Sequence, residues 1–180
     1  MRVINDTKEY LGNKPDTQEI KKEEVKQESF NDILVKELGN EYYGVNFFGS
    51  IGIHKKACGL CDLTKFFWTI SEKTLEIKMK IKEFLLTSEV DFTYPQIDAV
   101  KLNKEDSVFE QALDYENKRI EHLYEVIEKA PCKLTKGLVG KLIKKHVEIQ
   151  HLLSLANKIS KLSDDPLLIQ KSVYKLICHE

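Results

Sequence analysis

Chain breakers are scarce: 180 residues contain only 8 glycines and 4 prolines. That is poor material for the frequent tight corners of a barrel or sandwich, and for a disordered chain. An excess of charge of one sign is missing too. The 28 basic residues face 29 acidic ones, so no global field draws the chain to nucleic acid or to a membrane surface. No glycine-rich loop could cradle a phosphate, and no aromatic-plus-basic pattern suits RNA. No apolar run approaches the length of a membrane span, and the first residues lack the basic-then-apolar layout of a signal peptide, so a cytoplasmic location is expected. Four cysteines are too few for a disulfide scaffold at this length. What remains is 42% hydrophobic and 32% charged, the composition of one compact helical domain.

Residues 1–29 are charged and carry little apolar periodicity, which predicts a mobile arm or a short surface helix ahead of a folded domain over 30–180. From Phe30 the pattern changes. Leu34, Leu38, Val45 and Phe48 recur by threes and fours, as do Leu63, Phe67, Ile70, Ile77, Ile81 and Phe84 in a second segment. A third stripe comprises Phe109, Leu113, Ile120, Leu123 and Ile127. A fourth comprises Val139, Leu142, Ile149, Leu153 and Ala156, drifting toward Leu155, Ile159 and Leu162. Short links, "KKACGLCD" and "KAPCKLT", join the first helix to the second and the third to the fourth, which makes each pair antiparallel. Between the second and third, "TSEVDFTYPQIDAVKLNKED" is long enough to carry the chain from one end of a bundle to the other. Asp164, Asp165 and Pro166 then open a short fifth helix. The expected fold is all-α: a four-helix bundle with a long crossover between helices 2 and 3 and a short C-terminal helix.

Three stripes have a polar residue where an apolar one is due. Glu41 fills the place between Leu38 and Val45, Glu116 the place between Leu113 and Ile120, and His146 the place between Leu142 and Ile149. An isolated buried charge is costly and needs a partner. Carboxylates and imidazoles turned inward in a bundle have one common use, which is to hold iron or manganese between the helices. They can also share a proton and a hydrogen bond with no metal at all.

In this layout the chain resembles the ferritin family, especially the bacterial non-haem ferritins. "ELGNEYYGVNFF" is similar to the family's first helix, and "LLTSEVDFTYPQIDAVKLNKEDSVFEQALDYENKRIEHLYEVIE" to its crossover and third helix. The likeness runs from about Phe30 to Ile177. It implies a cage of many copies that stores ferric mineral, with a dinuclear centre that oxidises ferrous iron inside each bundle. The family builds that centre from a Glu on the first helix, a Glu-x-x-His pair on the second, a Glu on the third, and Gln or Glu groups on the fourth. Glu41 and Glu116 match the first and third positions, and His146 stands where a Gln is due. The second-helix pair falls on Thr74 and Ile77, a second fourth-helix carboxylate on Ile149, and the family's inner Tyr on Phe48. Glu72 and Glu76 sit about 200° round the helix from Thr74, so neither replaces the missing pair.

The resemblance therefore implies a divergent subunit with a largely lost ferroxidase centre, not an efficient enzyme. Glu41, Glu116 and His146 are its candidate metal ligands, sufficient for one weakly held iron or for a network without metal. Such a subunit would self-assemble or co-assemble with active ferritin subunits. The alternative is a non-catalytic bundle kept as a structural or protein-interaction module, with the N-terminal arm as a contact. Two further motifs are weaker. Cys58 and Cys61 have the spacing of half a zinc site but read as two thiols in a tight turn. Glu148 and His151 form a Glu-x-x-His that lies to the side of His146.

Overall fold

A computed structural model describes residues 28–103 and 107–178, and most of the N-terminal arm lies outside them. Five helices follow in order: α1 (Phe30–Ala57), α2 (Cys61–Thr87), α3 (Val108–Glu128), α4 (Lys133–Ser160) and α5 (Pro166–Tyr174). The start of α1 is set by Ser29, whose hydroxyl accepts from the Asp32 amide while the Asp32 carboxylate accepts from the Ser29 amide. Its end is set by Gly59, whose φ of +76° lies in the left-handed region that a side chain would resist. Two residues later the chain is helical again, running back along α1. The start of α5 combines Asp165, accepting from the Leu167 amide at 2.9 Å, with Pro166 in the first turn.

The helices pack as two hairpins, α1 with α2 and α3 with α4. The hairpins meet where α1 touches α3 and α2 touches α4, so α1 and α4 face each other across the diagonal. The helix α5 closes one end against α2 and α4, and the Gln170 side chain accepts from the Asp62 amide. The described part of the crossover, residues 88–103, lies over α1. The Pro95 ring sits so close to Gly39 that a methyl group there would come within 2.6 Å of it. Among the described residues no helix is long and apolar enough to cross a membrane.

The core is built from seven-residue repeats. In α2 the buried inner row is Leu63, Phe67, Ile70, Thr74, Ile77, Ile81 and Leu85; in α4 it is Thr135, Val139, Leu142, His146, Ile149, Leu153 and Ala156. Each enclosed Leu, Ile or Phe contributes about 1.5–3 kcal/mol. The stripes read from the sequence are rotated slightly in three helices. Val45, Phe84, Leu113 and Ile127 are only half-buried, and Gly44, Leu85, Ala112 and Val126 take the inner face beside them. At the end of α4, Leu162 is exposed rather than packed.

Candidate functional site

Continuing the same repeats through α1 and α3 defines the site. In α1 the inner positions are Leu34, Glu37, Glu41, Gly44, Phe48 and Ile51; in α3 they are Phe109, Ala112, Glu116, Arg119, Leu123 and Val126. Four hydrophobic-stripe places on these two helices thus carry charge. All four side chains are enclosed, with Arg119 at 6% exposure and Glu41 and Glu116 at 0%. His146 reaches them from α4 across the bundle axis.

The three residues singled out by sequence meet through the imidazole. His146 Nδ1 lies 2.6 Å from Glu116 Oε1, and its Nε2 lies 3.1 Å from Glu41 Oε1. Two participants were not found by stripe reading, Glu37 and Arg119. The Arg119 Nη2 donates to Glu37 Oε2 at 2.8 Å and also to Glu41 Oε1. Glu37 is further held by the Asn40 amide at 3.1 Å and by His122 Nε2 at 2.8 Å. Their signal was present: Glu37 lies four residues before Glu41, and Arg119 three after Glu116, each at a spacing that keeps one face.

The electrostatics follow from enclosure and pairing. Burial alone would raise the Glu41 carboxyl, but Arg119 and then His146 outweigh it and hold it at about 2. Burial would likewise lower His146, yet the Glu41 charge and the bond to Glu116 lift it to about 9, so at neutral pH both ring nitrogens carry protons and donate. Arg119 is lifted above its already high value, since Glu41 and Glu37 outweigh its own desolvation. Glu116 goes the other way: burial raises it despite its bond to His146. The carboxylates of Glu37 and Glu41 are paired with Arg119 and His146. Glu116→Gln should accordingly shift the thermal midpoint by no more than a few degrees at neutral pH, because an amide oxygen still accepts from His146. Calorimetry of the variant checks this.

The rest of the surroundings is apolar. The Thr74 hydroxyl donates to the Ile70 carbonyl of its own helix at 2.9 Å, leaving a methyl that a side chain at Gly44 would meet at 3.1 Å. Ile77 and Ile149 are enclosed. Tyr115, mostly buried, donates to the Asn40 carbonyl at 3.2 Å and stands edge-on to Phe48, and desolvation raises its hydroxyl. By contrast Glu72, Glu76, Glu148 and His151 are exposed, as are the free thiols of Cys58, Cys61, Cys132 and Cys178.

No family model matches the chain, and no curated protein matches it in sequence. Solved structures do. An open-pore ferritin from the archaeon Archaeoglobus fulgidus aligns over 83% of this chain and 96% of its own, with a TM-score of 0.75 and 15% identity. A humanized archaeal ferritin gives a TM-score of 0.77 at 16% identity, over 83% of this chain and 94% of its own. The ferritin of M. penetrans gives 0.72 at 18%, over 84% and 97%. The chain has the ferritin fold.

A ferritin fold raises the question of iron, and the donor set answers it. A dinuclear centre needs several hard oxygen donors, above all carboxylates shared between the two ions. Here α2 supplies a methyl and an isoleucine, both nitrogens of His146 are engaged with carboxylates, and Arg119 brings a positive charge among them. Among the buried carboxylate oxygens of the described residues, Glu41 Oε2 and Glu116 Oε2 are left without a partner. Among the described residues no three His, Cys, Asp or Glu side chains are grouped to hold a metal ion. The residues do not fit a dinuclear iron centre.

Proposed function

We propose that this chain is a subunit of a ferritin-type cage that takes part in holding iron without rapidly oxidising it inside its own bundle. The cage half of the reading is supported by the fold, which matches nearly the whole length of the ferritins above. The single observation behind the other half is the inner face of α2. At the places where the resemblance asks for a Glu and a His, it has a threonine bonded to its own helix and an isoleucine. With neither a carboxylate nor an imidazole on the inner face of that helix, ferrous ions lack the ligands that would bring two of them together beside dioxygen.

The role that fits is structural: to complete a shell, alone or mixed with subunits that oxidise iron, and to leave oxidation to them. Two measurements test it. On a sizing column with light scattering, the protein should elute as an assembly far larger than its 20.9 kDa chain. Mixed with ferrous iron in air, the purified protein should show no fast initial oxidation above the buffer rate, while a co-assembly with an active ferritin subunit should fill with mineral. A strict monomer would refute the cage reading and leave the interaction module. Two tightly bound irons per chain with fast oxidation would refute the loss of the centre.

A further inference from the structure

We infer that Arg119 is a built-in substitute for a divalent cation: its guanidinium neutralises the carboxylates of α1 from inside the bundle and so denies the site to metal ions. This rests on the reading above, that the bundle has no working iron centre, and adds what stands in its place.

Geometry carries the inference. One nitrogen, Nη2, bridges two carboxylates one helical turn apart, Glu37 through Oε2 and Glu41 through Oε1. That is the position a shared metal ion would take between two acids, filled by a planar cation that never gives up its charge in water. The His146 ring lies in the same way between Glu41 and Glu116, with each of its nitrogens engaged by a carboxylate oxygen. From outside, a cavity of roughly 500 Å³ under the crossover reaches Glu37 and His122. An ion entering there meets Glu37, whose oxygens are already held by His122, Asn40 and Arg119. Behind it, Glu41 Oε2, Glu116 Oε2 and Arg119 Nε remain enclosed and unpartnered. The first two are hard donors, from two helices, that the guanidinium does not use. Buried polar atoms in this condition mark a site with coordinating capacity to spare. Removing the arginine then leaves Glu37, Glu41 and Glu116 short of positive charge around those free oxygens, a demand that a divalent ion meets.

The test uses Co²⁺, whose visible absorption reports its ligands, on the full-length protein. For the wild type, the thermal midpoint should be the same in EDTA and in Co²⁺. Arg119→Gln should melt on the order of 10 °C lower in EDTA and regain most of that loss in Co²⁺. Equilibrium dialysis should show about one Co²⁺ per chain more than the wild type, with visible absorption the wild type lacks. Adding Glu116→Leu should abolish both the extra ion and the recovery. Should Arg119→Gln not fold, Glu37→Gln/Arg119→Gln removes one charge of each sign, and the same extra ion is expected in it. A wild type stabilised by Co²⁺ through Glu41 and Glu116, or variants that bind no more Co²⁺ than the wild type, would overturn the inference. A cage that shows no such gain sinks this inference alone; a monomer that shows it sinks only the cage.

Discussion

Glu41→Leu should destabilise the protein by about 3–5 kcal/mol. Glu41 Oε1 receives both cations, Arg119 from α3 and His146 from α4. With leucine there, Arg119 keeps only Glu37 and His146 keeps only Glu116, an acid that burial already biases toward its protonated form. A buried cation without its counter-charge has few remedies: His146 can shed its proton, but Arg119 cannot. Chemical denaturation should show the loss as a lower midpoint with an unchanged slope. A contrasting variant separates charge from volume. Replacing Glu37, Glu41, Arg119 and His146 together by apolar residues of similar size should recover much of the deficit, since well-packed hydrocarbon often equals or exceeds a buried ion network. If Glu41→Leu alone proves neutral, the ion network contributes nothing to the fold.

The second large effect is on pH. Glu41 is held at about 2, below its usual value, so its contribution is complete above pH 4.5 and is lost as the pH falls toward 2. His146 is held at about 9, above its usual value, so its contribution is complete below pH 6.5 and is lost as the pH rises toward 9. Glu116 has a raised value as well, and its share disappears on the alkaline side of its ordinary range. The cluster should therefore support the fold best between about pH 4.5 and 6.5. Stability should fall steeply in acid and more gradually from neutrality to pH 9. Melting curves across this range provide the check. In His146→Gln the decline between pH 6.5 and 9 should flatten while the acid limb remains. A wild-type profile flat from pH 5 to 9 would contradict the assignment of His146 as a cation.

Much of this arrangement was legible in the sequence because a bundle repeats. Leu34, Ile70, Leu142 and their neighbours recur at a period that only a half-buried helix explains, and the unequal links between helices gave the connectivity. Glu41, Glu116 and His146 could be found because each interrupts an apolar row that resumes beyond it. Glu37 and Arg119 could not be found in that way. Glu37 precedes Leu38, which satisfies the row, and Arg119 precedes Ile120, which does the same; both leucine and isoleucine are also enclosed. A helix buries a face about 100° wide, so adjacent residues can share it. Apolar content alone could not decide that the charged neighbour goes inside as well. The pairing decides it, and pairing across helices is a property of the folded chain.

The placement of the charges also bears on how the two hairpins find one another. Glu37 and Glu41 belong to the first, Arg119 and His146 to the second. Each hairpin can form from local contacts, but the apolar rows between them recur by threes and fours, so sliding by one turn would again set apolar residues against apolar ones. Such a slip, about 5.4 Å along the axis, would strand acids and bases opposite hydrocarbon. The ionic cluster thus acts as a key that fits a single alignment, and the greasy surfaces around it supply adhesion without choosing among alignments.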